Sequence, residues 1–377
     1  MATIREIFGT GNVRDLMLAE RSNYKLHPEY TLVNPDLIVG LELEIEKWKD
    51  NVDRTFRGFT FEHDGSLRGN AVEAITKPMY SKFVPEKLES FFTKFEVEPN
   101  MYSERCSTHV HVNCQDMEVE QVAAICLLYQ LLERCLFAFI GHDRSDNIFC
   151  TPWSQCNISK RMLYKLLEDV NYSTANWQKY TALNLIPLRD RGTVEFRHLE
   201  GTCDVARITA WLNIIGSMFA YAKANKLEDI KNTIAAMNTV SNYDAFMRDV
   251  FGPFSATLAG YRNELIEGVI DCKMAILGTA VNHPAAVPPV AQDGDLFRMM
   301  DEILNNPPRD GRRLQPGWEH LRIAVHPDFV PGSNFIVQAQ VVEQHAQFMA
   351  ERMRDDIDRM FDEDARDMAE VRGEPHF

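Results

Sequence analysis

At 377 residues the chain is longer than a single hydrophobic core serves well, so one large domain with an appendage, or two domains, is expected. Hydrophobic residues make up 45% and charged residues 25%, an ordinary globular balance that excludes a disordered chain. The formal net charge of −15 argues against nucleic acid and against an anionic membrane as partners, because both reward clustered Lys and Arg.

Residues 1 to 36 are polar and mixed and end in the turn signal Asn34-Pro35-Asp36; they form a lead-in. From Leu37 to Glu46 the sequence alternates. Val39, Leu41, Leu43 and Ile45 fall on one face and Gly40, Glu42, Glu44 and Glu46 on the other, the pattern of a half-buried strand. Further strands are expected at Phe56 to Glu62, Ala71 to Thr76, Ser107 to Asn113 and Thr193 to Leu199. Helices are signalled after Asp116, from Ser159 to Asp169 and from Asp204 to Ala224. The most apolar of these, Val119 to Ile140, carries Glu133 and Arg134 inside the length a bilayer requires and is read as a core helix. Strands and long helices without a regular βαβ repeat point to an α+β fold with a largely antiparallel sheet flanked by helices.

The main body is placed at residues 37–281. Pro and small residues make 282–294 a linker, and 295–377 a helical C-terminal extension. Within the extension, Val341 to Val371 spaces Met349, Met353, Ile357, Met360, Phe361 and Met368 as a helix face. That face either packs on the same chain or makes a homo-oligomer.

The eight cysteines form no CxxC pair, and Met1 to Glu20 mixes charges with apolar residues instead of building a secretory leader. Reduced thiols in the cytoplasm are the expectation.

Three strands carry the chemistry. Glu42 and Glu44 are two apart and therefore project to one side, where their mutual repulsion is relieved by a hard divalent cation or by water on a solvated face. His109 and His111 repeat the spacing, with Val110 and Val112 inward, and suit a metal or a phosphate if they are not incidental surface histidines. Glu195 and Arg197 repeat it again, either as a metal carboxylate beside a phosphate-binding guanidinium or as a cross-strand ion pair. Asp64-Gly65-Ser66 is a turn, Glu73 lies on a short strand ending at Pro78, and Asn184 sits just upstream of the Glu195 strand. Convergence of the three strands on a shared cleft explains them together better than three separate accidents.

The ordered series VGLELEIE, HDGSL with VEAITKP, THVHVN, YTALNL and GTVEFRHLEGT resembles the amidoligase family, a branch of the glutamine synthetase and glutamate-cysteine ligase fold group, over roughly residues 37 to 275. Two positions depart from the family pattern. Ser107-Thr108 replaces the glycine usual before the histidine pair, and Thr76-Lys77-Pro78 replaces a Ser-Pro ending. The resemblance implies a glutamine synthetase-like catalytic domain, with Mg²⁺ (or Mn²⁺) held by Glu42, Glu44, Glu73, His109 and Glu195. It gives His109 and then His111 to metal or phosphate, Arg197 to the phosphate of ATP or to an acyl phosphate, and Asn184 a place near the substrate.

The implied reaction is ATP-dependent ligation of a small-molecule or peptide carboxylate to an amine or ammonia through an acyl phosphate, with Arg197, His111 and Asn184 as its catalytic residues. The chain has no GxxxxGK[ST] loop, so ATP would be held differently from a P-loop enzyme. The rivals are a metal-dependent hydrolase, which would turn over without ATP, and a non-catalytic scaffold that keeps the fold.

Overall fold

The alternating run forms strand β1 (Ile38–Ile45), near the middle of a seven-stranded sheet. The computed structural model describes residues 2–281, apart from 19–24, 50–52, 157–161, 238 and 259–261. The chain divides into two compact units, Met1–Met300 and Asp301–Phe377, and every described residue belongs to the first. The expected linker at 282–294 and the helical extension at 295–377 lie outside the described residues.

The remaining strands are β2 (Phe59–Glu62), β3 (Val72–Thr76), β4 (Met79–Tyr80), β5 (Ser107–Asn113), β6 (Leu183–Asn184) and β7 (Thr193–Glu200). Their order is β2-β3-β1-β5-β7-β6, with β4 pairing on the start of β1. Every strand pair in it is antiparallel. The topology thus sets the two-carboxylate, two-histidine and Glu-Arg strands side by side as β1, β5 and β7.

Two short helices, α1 (Ile4–Phe8) and α2 (Val13–Leu18), precede the sheet, and α3 (Val84–Phe95) follows β4. Helix α4 (Val119–Ile140) leaves β5 and is followed by α5 (Met162–Glu168), α6 (Val170–Ala175) and α7 (Pro187–Asp190). After β7 come α8 (Val205–Ala224), α9 (Leu227–Ala236), α10 (Val240–Phe251) and α11 (Arg262–Val281). Asp204 begins α8 as an N-cap, its carboxylate accepting from the Arg207 N–H at 3.1 Å.

Leu41, Leu43, Val110, Val112, Val194 and Phe196 join the helices in one core, into which Ile4 of the leading segment is also fully buried. Val119–Ile140 is long and apolar enough to cross a membrane, but it is buried as a core helix. Its partner α11 comes close because Gly268 presents no Cβ: one built there would lie 1.9 Å from the Leu131 carbonyl oxygen. All eight cysteines are free, six of them buried.

The half-buried strand expected at β1 is corrected. Glu42, Glu44 and Glu46 are buried like the leucines that alternate with them, and β5 is buried on both faces along its whole length. Three connections cover the polar face. The turn after β2 donates the Arg68 N–H to Glu46 Oε1 at 2.9 Å, and the segment before β7 lays Arg191 on Glu42 at 2.8 Å. The loop after α4 accepts the Arg197 Nε–H on the Phe149 carbonyl at 2.9 Å.

Candidate metal centre

Antiparallel register fixes which side chains meet. Glu42 stands opposite His109, Glu44 opposite Glu73, and Glu195 opposite both His111 and Asn184. Residues directly opposite share a face, so all of these project into one layer, buried except at the half-buried Glu73. The surface alternatives for the acid and histidine pairs fall away, since Glu44 is 3% exposed and His109 2%.

His109 is the hub. Its Nδ1 lies 3.4 Å from Glu42 Oε2 and 3.3 Å from Glu195 Oε1, while Nε2 lies 3.7 Å from Glu44 Oε1. His111 sets its Nδ1 3.1 Å from Thr193 Oγ1 and its Nε2 3.1 Å from Glu42 Oε1. Asn184 donates to Glu195 Oε2 at 2.8 Å and accepts the Ile186 N–H at 3.0 Å, so it orients Glu195 from the sheet edge. Arg197 donates to Glu195 Oε1 at 2.5 Å; the ion pair considered across strands is a pair within one strand.

At the two departures from the family pattern, Ser107 and Thr76 are bonded, while the Thr108 hydroxyl is buried without a hydrogen-bond partner. Ser107 donates its N–H to Glu44 Oε2 at 2.6 Å and accepts from Arg144 on its hydroxyl at 2.8 Å. Thr76 uses its hydroxyl to accept the Leu41 N–H at 2.8 Å, taking a sheet hydrogen bond on β1.

Proximity drives the carboxylates apart electrostatically. Burial pulls the Glu42 carboxyl up, but contacts with His109 and His111 outweigh it and hold the group well below the usual carboxylate range. At Glu195 burial likewise raises the pKa, against the stronger combined pull of Arg197, His109 and His111, and the net shift is downward. Burial wins at Glu44, whose pKa is raised, and at Glu73, pushed up to about 7 by burial and then by the neighbouring Glu42. Such splitting of neighbouring acids marks sites where charge is handled.

Two overlapping groups could hold a cation: Glu42, His109 and Glu195, and Glu44, Glu73 and His109, with one ligand atom from each residue within 4.8 Å of the others. The donors are hard oxygens and imidazole nitrogen, which suit Mg²⁺ or Mn²⁺. His109 Nε2 and His111 Nε2 are buried without a hydrogen-bond partner, the latter close to Glu42 but without hydrogen-bond geometry. Buried nitrogen without a partner and converging carboxylates both fit a cation.

Sequence reasoning missed Arg191, Thr193 and Arg144. Nothing in the run Arg189-Asp190-Arg191 distinguishes the arginine that reaches the site from the one that does not, and Arg144 lies far from any of the three motifs.

The family described as "putative amidoligase enzyme" matches residues 2–217. The chain belongs to that family. No curated protein matches it. The amidoligase match includes β1 to β7 and hence every residue of the centre, and it takes in the leading helices as well.

Proposed function

We propose that this amidoligase is an ATP-dependent carboxylate–amine ligase on a glutamine synthetase-like fold, working with Mg²⁺ or Mn²⁺ through an acyl phosphate. The observation that carries the reading is the meeting of Glu42, His109 and Glu195 within ligand reach, with the buried guanidinium of Arg197 on Glu195, in a chain of this family. The free thiols fit a reducing compartment such as the cytoplasm.

Glu42, His109 and Glu195 would hold the cation, and Glu44 and Glu73, again with His109, would offer a neighbouring place. When bound, it neutralises charge on phosphoryl oxygens, which two carboxylate-lined walls alone would repel. Arg197, fixed between Glu195 and the Phe149 carbonyl, presents its guanidinium to the γ-phosphoryl group of ATP and to the acyl phosphate formed when the substrate carboxylate takes it. Amine attack on the acyl carbon then releases phosphate. His111 and Glu73, the latter with its pKa pushed up to about 7 by burial and by Glu42, are the groups placed to accept the amine proton. Asn184 keeps Glu195 aligned throughout.

The histidine pair among carboxylates would also serve a metal-dependent hydrolase. ADP release from a pooled panel of acids and amines separates the two: the ligase consumes ATP only when acid and amine are both present, whereas the hydrolase turns over substrate without nucleotide. No nucleotide binding and no turnover of either kind would leave the non-catalytic scaffold.

A further inference from the structure

The two arginines of the centre are held differently. Arg197 is 9% exposed in its side chain and is fixed by Glu195 and a backbone carbonyl, whereas the Arg191 side chain is 59% exposed while its guanidinium reaches the buried Glu42 at 2.8 Å. The base of Arg191 is nonetheless anchored. Its N–H donates to the Pro187 carbonyl at 2.9 Å, its own carbonyl accepts from Gln115 at 3.2 Å, and the next carbonyl, of Gly192, accepts the Cys114 N–H at 2.8 Å. Gly192 has φ +68°, and a Cβ there would meet Gln115 Cγ at 2.4 Å, so only glycine makes this turn. Gln115 is tied in turn to the leading segment, through Gly11 and Val13. The result is a fixed stem with a long solvent-facing arm at the edge of the centre.

We propose that Arg191 is an exchangeable counter-cation, which pairs with Glu42 while no divalent cation is bound and turns to an oxyanion of the substrates once Glu42 serves a cation. This rests on the cation-binding reading above. Glu42 cannot be shared without cost, since a guanidinium and a divalent cation on one carboxylate repel each other. Leaving costs Arg191 little: its side chain is mostly in solvent and Glu42 keeps His109 and His111 beside it, so a contribution of about 1 kcal/mol, roughly a five-fold change in binding, is expected. Arg197 has no such freedom, because its side chain is buried and is tied to the Phe149 carbonyl as well as to Glu195, so its guanidinium has no open route to water. Freed at the rim, the planar fork of Arg191 matches two oxygens of a phosphoryl group or a carboxylate.

The test is calorimetry on the full chain and on Arg191→Gln and Arg191→Lys, first with MnCl₂ alone and then, at saturating Mn²⁺, with AMP-PNP and separately with glutarate. The proposal expects Arg191→Gln to bind Mn²⁺ about two- to five-fold more tightly. It expects the same variant to bind one of the two anions about ten-fold more weakly, with Arg191→Lys between. Opposite signs are the signature, since a structural defect would weaken both. Loss with AMP-PNP assigns the phosphoryl group, and loss with glutarate the carboxylate. Unchanged or weaker Mn²⁺ binding in Arg191→Gln, or no loss with either anion, overturns the proposal while leaving the cation site standing. Absence of Mn²⁺ binding in the unaltered protein overturns both.

Discussion

Arg144 and Arg197 meet through the backbone: the Arg144 guanidinium donates to the Arg197 carbonyl oxygen at 3.1 Å and to the next, of His198, at 3.0 Å. This is where β7 bulges. Val110 pairs with Phe196 but Thr108 pairs with Leu199, so β7 carries one residue more than β5 there. Arg197 keeps the alternation that places it on the Glu195 face, and the extra residue lets His198 and Leu199 both enter the core. Arg144→Met would leave these carbonyls unsatisfied at a buried site, and a loss of roughly 2–4 kcal/mol is expected, with Arg144→Lys recovering only part because it lacks the fork. Urea denaturation reads this directly. An unchanged midpoint in Arg144→Met would show that the bulge holds without its clamp.

His198 gives the stability of the protein an acid limb. Burial first, then the nearby Arg144, lowers its pKa from 6.5 to about 3. The unfolded chain therefore binds the proton that the folded chain refuses between those values, so stability is complete above pH 6.5 and falls as the pH drops toward 3. The slope from this one group approaches about 1.4 kcal/mol per pH unit. In His198→Gln, which can still face the Tyr129 hydroxyl found 3.1 Å from Nε2, the limb between pH 6 and pH 4 should flatten. Equal slopes in the two proteins, measured by denaturation across that range, would count against a neutral buried imidazole.

Gly268 sets two opposing effects against each other. Alanine improves the helix by up to about 1 kcal/mol, but here its methyl would sit 1.9 Å from the Leu131 carbonyl oxygen, and overpacking of that kind costs about 1–3 kcal/mol. The steric term should win, since the obstacle is backbone and cannot swing aside. Gly268→Ala is expected to melt lower than the unaltered protein, and a higher melting temperature would mean that α4 and α11 part easily.

The strands that carry the centre were legible because each announces itself within a few residues. Val39, Leu41, Leu43 and Ile45 alternate with glycine and acids, and β5 occupies Ser107–Asn113 as expected. Their adjacency was suggested only by the chemistry of the outward faces, and the register now puts Glu42 beside His109 and His111 beside Glu195. What stayed hidden depends on distant partners. Arg191 and Arg68 come over the polar side of β1, and the Phe149 carbonyl over that of β7, from three connections that no local alternation can register. β6 is two residues long, too short for a periodic signal, yet it brings Asn184 to Glu195. Helix α3 escaped notice because Pro85 and its aromatic run blur the pattern, although Pro at the first turn is a helix start.

Binding of AMP-PNP by calorimetry, with and without Mg²⁺, tests the central claim most directly when the unaltered protein is compared with Glu42→Ala. The account predicts binding that requires Mg²⁺ and falls by at least about ten-fold in the variant, because a ligand of the cation has been removed. Binding that is indifferent to Mg²⁺ or to Glu42, or no binding under either condition, would contradict it.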